Sequence, residues 1–226
     1  MLFRSQTWNV DLLQEIGEAV GQEMLETGVG LWLAPAMNIH RNPLCGRNFE
    51  YYSEDPYLSG CMASAVTKGV QKQQGIGVTI KHFCCNNRET NRNYISENLS
   101  ERALRELYLR GFRYVVENAH PKAVMSSYNR VNGTYVVNHY DLLTKILRCE
   151  WKYEGLVMSD WGSTGDGKGV HEKALAAGNN LIIPGGPAVT EVLKKAVREQ
   201  KITRKELEWN AAYVMNMIFD TFTSGK

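Results

Sequence analysis

Short apolar runs alternate along this chain with longer stretches in which apolar residues recur every three or four positions. The short runs lie at residues 29–34, 76–80, 123–126, 156–159 and 181–183, the first and last closed by Pro35 and Pro184. Uninterrupted apolar runs of this length read as strands buried on both faces. The periodic stretches, 11–26, 56–73, 100–118, 141–149, 169–177 and 191–219, read as amphipathic helices. Ser100 is placed to cap one of them, and Thr203 with Glu206 forms a capping box where the last stretch breaks near Ile202 and Thr203. Strand–helix alternation of this kind predicts a parallel sheet with helices packed against it. Five strands fall short of a closed eight-stranded barrel.

Polar chemistry gathers just after the strands. Asn38, His40, Arg41, Arg47, Asn48 and Glu50 follow the first, and Lys81, His82, Asn86, Asn87, Arg88 and Glu89 follow the second. Ser127, Tyr128, Asn129, Arg130 and Asn132 follow the third, and Asp160 and Trp161 the fourth. In α/β barrels the reacting groups sit at the C-terminal strand ends. The pattern therefore predicts one polar pocket centred on Asp160. Amides, charges and flat rings together suit a hydroxyl-rich ligand such as a sugar.

Composition narrows the partners. Lys and Arg exceed Asp and Glu by 26 − 24 = 2, with no long basic run, so nucleic-acid binding has little electrostatic support. No apolar stretch approaches the roughly 20 residues of a membrane span. The five cysteines are odd in number and form no paired CxxC motif, which argues against a zinc site and favours small buried thiols in a reducing, cytoplasmic setting.

Four segments resemble glycoside hydrolase family 3, in its β-glucosidase branch. They are Asn38-Ile39-His40-Arg41-Asn42-Pro43 continuing through Gly46-Arg47-Asn48-Phe49-Glu50, Lys81-His82-Phe83 with Asn86-Asn87, Ser127-Tyr128-Asn129-Arg130-Val131-Asn132-Gly133, and Val157-Met158-Ser159-Asp160-Trp161. The resemblance runs from about Thr7 to Phe219. It implies an α/β fold, a partial (β/α)8 TIM-barrel-like domain spanning residues 1–226, whose first strand and whose following α/β sandwich domain lie outside this sequence. It also implies retaining hydrolysis, with Asp160 as the nucleophile that forms a glycosyl ester. Arg47, Lys81 and His82 would bind sugar hydroxyls, while Met125, Tyr128 and Trp161 would line the pocket. Non-proline cis peptides are implied near Lys81-His82-Phe83. No metal or organic cofactor is implied.

The same residues admit plainer roles. Asp160 alone could cap a helix, Arg47 and Glu50 could simply pair, Lys81 could be a solvated loop charge, and Met125 and Trp161 could be core residues. Asn86, Asn87, Glu89 and Arg92 read as loop braces. Asn180 stands where the family often carries Asp, and the acid/base glutamate belongs to the domain beyond this sequence. The expected partner is a small oligosaccharide or glycoside, with a complementing chain or a homo-oligomer completing the enzyme. This piece alone is expected to be weak or inactive on unactivated glucosides. A β-xylosidase or α-arabinosidase of the same family, or a non-catalytic sugar-binding remnant, are the alternatives.

Overall fold

The structure, a computed structural model, describes residues 6–222. The chain opens with α1 (Val10–Thr27), capped by the Asn9 side chain on the Leu12 N–H at 3.0 Å and closed by Gly28 in the left-handed conformation at φ 71°. Then come β1 (Leu31–Trp32), α2 (Pro56–Val70), β2 (Gly77–Phe83), β3 (Ser96–Glu97), α3 (Glu101–Ala103), α4 (Arg110–Ala119) and β4 (Ala123–Ser126). After these follow β5 (Arg130–Val131), β6 (Thr134–Tyr135), β7 (Leu156–Ser159), α5 (His171–Ala177), α6 (Pro187–Arg198) and α7 (Arg204–Phe222). The strands β1-β2-β4-β7 pair in that order, each parallel to the next. With helices between them, they form a stretch of TIM-barrel-like wall.

Alternate residues of this wall serve two cores. Val78, Ile80, Val124 and Val157 join Leu13, Met62, Val66, Phe112 and Val115 of the helices. Ala123, Met125, Leu156 and Met158 face the other way, where Leu31, Leu33 and the α7 residues Tyr213, Val214 and Met217 cover them. Both faces are therefore shielded, as the uninterrupted apolar runs predict.

The strands at 123–126 and 156–159 match their predicted bounds. Pairing along β1 does not stop at Pro35: Lys81 N–H donates to the Pro35 carbonyl at 3.0 Å and Met37 N–H to the Lys81 carbonyl at 2.7 Å. The strand predicted at 181–183 is a single bridge from Leu181 to Met158. Backbone bonds still join it to β7, with Leu181 N–H on the Val157 carbonyl at 3.1 Å and Ser159 N–H on the Leu181 carbonyl at 2.8 Å, and side chains add to them, since the Asn180 Oδ1 accepts from Val157 N–H at 2.9 Å and Ser159 Oγ from Ile183 N–H at 2.9 Å. The helix predicted over 100–118 is broken by a π turn at Leu104–Tyr108, and the one over 141–149 is π-helical from Asp141 to Glu150. The break between α6 and α7 falls where predicted, and the capping box is formed, with Thr203 N–H on Glu206 Oε2 at 2.8 Å and Glu206 N–H on Thr203 Oγ1 at 3.1 Å.

Among the described residues, Arg148 lies buried with no carboxylate partner. It donates to Asn180 Oδ1 at 2.7 Å and to the carbonyls of Tyr153 and Gly155, and its guanidinium stacks 4.1 Å from the Tyr213 ring. Asn180 Nδ2 continues the network to Asn210 Oδ1 at 3.0 Å, so this buried polar group ties α7 to the sheet.

Glycines let α1 and α2 meet backbone to backbone. A Cβ at Gly69 would sit 2.2 Å from the Gln14 carbonyl oxygen, and one at Gly17 2.5 Å from that of Val66. Gly69→Ala is therefore expected to lose at least about 2 kcal/mol in urea unfolding, even though alanine favours an isolated helix by about 1 kcal/mol. A stabilised Gly69→Ala protein would contradict the close helix contact.

Candidate active site

Three parallel strands deliver the candidate residues to one rim. Lys81 and His82 lie at the end of β2, Tyr128 two residues beyond β4, and Asp160 directly after β7. The ladder persists one step past β7, since Asp160 N–H donates to the Ser126 carbonyl at 3.1 Å. The Asp160 backbone is thus pinned by the same pairing that builds the sheet. Its side chain is nearly enclosed, at 5% exposure.

The two carboxylate oxygens differ. Oδ1 accepts the Trp161 N–H at 2.8 Å, which fixes the plane of the group. Oδ2 has no hydrogen-bond partner among the described residues and faces His82 Nε2 at 3.7 Å. Burial pushes the Asp160 carboxyl above its ordinary value, against the opposing pull of the Trp161 N–H, Arg47, the Tyr128 hydroxyl and Lys81. The charges of Arg47 and Lys81 therefore favour the ionised carboxylate.

His82 is buried, and burial, followed by Arg47, Lys81 and Arg92, holds its imidazole well below the usual histidine range. It is neutral at physiological pH. Its main chain is clamped by one amide: His82 N–H donates to Asn38 Oδ1 at 2.8 Å, and Asn38 Nδ2 donates back to the His82 carbonyl at 2.9 Å. The Lys81–His82 and Phe83–Cys84 peptides are cis, as the resemblance implies for this segment. Burial also lowers the Lys81 pKa, with Arg47 adding to the effect and Glu50 and Asp160 opposing it.

Arg47 does pair with Glu50, through Nε and Oε1, and both side chains are largely buried. That pairing leaves the rest of the guanidinium available and keeps it close enough to influence Asp160. The Tyr128 hydroxyl donates to the Trp161 carbonyl at 2.8 Å; burial and then the Asp160 carboxylate push its pKa up to about 12. Trp161 is 54% exposed, so its ring stands at the mouth rather than in the core. Met125 does not join the polar ring. It lies fully buried beside Met158, one layer beneath Asp160 on the same face of the sheet.

Tyr51 escapes a reading of the sequence, and Asn38 and Arg92 do more than that reading assigns them. Tyr51 is buried, exchanges hydrogen bonds with Asn86, and sets its ring edge-on to His82 at 6.3 Å. Asn38 supplies the backbone clamp described above. Arg92, expected only to brace the loop, also stacks its guanidinium 4.3 Å from the Tyr128 ring while pairing with Glu89 at 2.6 Å. The loop-brace expectation itself is met by Asn86 Nδ2 on Glu89 Oε1 at 2.9 Å and by Asn87 Nδ2 on the Ile39 carbonyl. Among the described residues, no group of three or more His, Cys, Asp or Glu side chains is placed to hold a metal ion, and no helix is long and apolar enough to cross a membrane.

A buried carboxylate with one oriented and one open oxygen, beside two cations and a neutral imidazole, defines the class of site: it can attack or stabilise an electron-poor carbon. Residues 2–217 match the glycosyl hydrolase family 3 N-terminal domain, and the chain belongs to that family. It is 48% identical over 202 residues to beta-glucosidase A of Butyrivibrio fibrisolvens, covering 89% of this chain and 24% of that one. It is 43% identical over 218 residues to an exo-α-(1→6)-L-arabinopyranosidase of Bifidobacterium longum, covering 96% of this chain and 28% of that one. Among solved structures, beta-glucosidase 3B from Thermotoga neapolitana in complex with glucose superposes with a TM-score of 0.93 at 47% identity, over 100% of this chain and 33% of that one. The chain thus spans about a quarter to a third of the length of these relatives.

The raised Asp160 pKa has a definite sign. Between the ordinary carboxyl value and the raised one, the folded state binds more protons than the unfolded state, so stability falls as pH rises through that window. Asp160→Asn lacks this titration. The melting temperature of Asp160→Asn minus that of the wild type is expected to be larger at pH 7 than near pH 4. A difference that is flat or shrinks toward pH 7 would contradict the buried, raised carboxyl.

Proposed function

We propose that this chain is the nucleophile-bearing barrel domain of a retaining β-glucosidase, acting on terminal β-D-glucosyl residues of oligosaccharides or glycosides. The observation that carries the reading is the Asp160 carboxylate, whose Oδ2 is buried yet has no hydrogen-bond partner among the described residues while Trp161 N–H holds Oδ1. In the first step Oδ2 attacks the anomeric carbon. The carbon–oxygen bond to the leaving group breaks, the leaving oxygen takes a proton from an acid, and a glycosyl ester on Asp160 remains. Water then cleaves the ester and restores the carboxylate.

Each neighbour has a part in this scheme. Arg47 and Lys81 hold the carboxylate ionised against the cost of burial and present donors to sugar hydroxyls. His82, kept neutral, adds one donor or acceptor without adding charge. Tyr128 stays protonated and fixes the turn carrying Trp161, whose exposed ring gives the leaving group an apolar wall. Residues 1–226 are read as one catalytic-domain unit. The alternative sugar is an α-L-arabinopyranosyl unit, which the name of the Bifidobacterium longum relative favours.

A retaining enzyme needs a second carboxyl about 5–5.5 Å from the nucleophile to protonate the leaving group. Substrates with strongly acidic leaving groups bypass that need. The chain is therefore expected to release dinitrophenolate from 2,4-dinitrophenyl β-D-glucoside in an Asp160-dependent way. Cellobiose should react slower by a further factor of about 10²–10⁴, the usual worth of general acid catalysis. Equal release by wild type and Asp160→Asn would overturn the nucleophile assignment, and faster release from the matching α-L-arabinopyranoside would reassign the sugar.

A further inference from the structure

We infer that Tyr135 is a positioning residue that sets the leaving-group side of this site, an inference resting on the glycosidase reading above. Its single hydroxyl joins three separate segments. It accepts from Arg130 Nη2 at 3.0 Å, and it faces the carbonyls of Asn93 at 3.0 Å and Gly167 at 3.3 Å as a shared donor. The Arg130 guanidinium also lies 4.4 Å from the Tyr135 ring.

The two carbonyls belong to the loops that flank the mouth. Asn93 follows Arg92, whose guanidinium stacks on Tyr128 and pairs with Glu89. Gly167 precedes Lys168, whose ammonium donates to the Gly162 carbonyl next to Trp161. Tyr128 closes the circuit by donating to the Trp161 carbonyl at 2.8 Å. The path from Tyr135 through Arg92 and Tyr128, and back through Trp161 and Lys168, is a ring of contacts around the opening.

The loop from Gly162 to Gly169 is buried at its start, at Ser163 and Thr164, and rises from there to an irregular tip. Gly165, Asp166 and Gly167 are three successive residues with positive φ, so neither helix nor strand can form there. Its start is held by Gly162 N–H on the Ile183 carbonyl at 2.9 Å, while bonds nearer its tip are local, from Gly165 N–H to the Gly169 carbonyl at 2.7 Å and from Lys168 N–H to the Gly165 carbonyl at 3.0 Å. Trp161, at the head of this loop, is half exposed and gains no fixed position from core packing. The Tyr135 hydroxyl reaches Gly167 from outside the loop. Its ring is anchored against Val137, Ala174 and Ile182, so the hydroxyl is presented from a rigid base.

The geometry separates two parts of the substrate. Arg47, Lys81, His82 and Asp160 face the sugar and do not touch Tyr135. Trp161 and Arg92 depend on it. Loss of the hydroxyl should leave the glycone contacts in place and loosen the wall against which the leaving group rests.

Tyr135→Phe keeps the ring and its packing and removes only the three polar contacts. Binding of glucose and of the non-hydrolysed 4-nitrophenyl 1-thio-β-D-glucoside would be measured for wild type and variant. Hydrogen exchange would be followed in peptides covering residues 91–95 and 162–169. The variant is expected to bind the aryl thioglucoside about tenfold more weakly, as for one or two lost neutral hydrogen bonds, and glucose within about twofold of wild type. Exchange should rise in both peptides and nowhere in the sheet. A variant that binds both ligands as wild type does, or loses both equally, overturns the role of Tyr135 while leaving the sugar site intact. A wild type that binds neither ligand overturns the sugar-site reading itself, and the leaving-group role with it; the exchange data then still decide whether the hydroxyl couples the two loops.

Discussion

The structure turns on keeping a carboxylate ionised in a nearly closed place. A buried anion is costly unless charge or hydrogen bonds compensate for the lost water. At Asp160 the compensation is partial: one N–H on Oδ1, two cations nearby and a hydroxyl alongside, with Oδ2 left open. Full pairing would hold the carboxylate low and satisfied, but it would also remove the lone pairs that a nucleophile needs. Burial wins by enough to raise the pKa, a shift of the kind that clusters at functional sites.

That balance depends on backbone placement more than on side-chain packing. Asp160 is fixed because β7 pairs with β4, and His82 because Asn38 takes both its N–H and its carbonyl. The turn after β4 is held in turn by Ser127 Oγ on the Cys84 carbonyl at 2.7 Å, which links the Tyr128 loop to the end of β2. Each strand end is thus tied to the next by hydrogen bonds that cross the rim. The charged side chains around the rim are held by contacts of their own. Arg47 shows this most directly, since Glu50 takes its Nε and fixes the direction of the remaining donors.

Much of this was legible in the chain, for physical reasons that vary by element. The strands at 123–126 and 156–159 are legible because all their residues are buried, so nothing interrupts the apolar run. The edge at 181–183 looks equally apolar, but Asn180 and Ser159 side chains take the Val157 and Ile183 N–H groups and shorten its backbone ladder to a single bridge, which no periodicity reveals. The π-helical stretches keep an apolar rhythm close enough to a normal helix that the change of winding is hidden. The β5–β6 hairpin lies outside the predicted elements although its signal is present: Asn132 and Gly133, at φ 48° and 88°, form the two-residue turn that Asn-Gly favours between strands. Its polar flanks read as a functional loop. Within the site, Asp160, Lys81 and His82 stand out by motif. No motif singles out Tyr51, and Asn38 meets His82 across 44 positions of sequence, a contact only the fold creates.

The most direct test of Asp160 as nucleophile is the intact mass of the folded chain after incubation with 2,4-dinitrophenyl 2-deoxy-2-fluoro-β-D-glucoside. The fluorine slows the second step, so an ester formed on the enzyme accumulates. Asp160 as nucleophile predicts one covalent 2-fluoroglucosyl adduct per chain, mapped by peptide digestion to Asp160 and absent in Asp160→Asn. An adduct on another residue, or none in a chain shown to be folded, would contradict it.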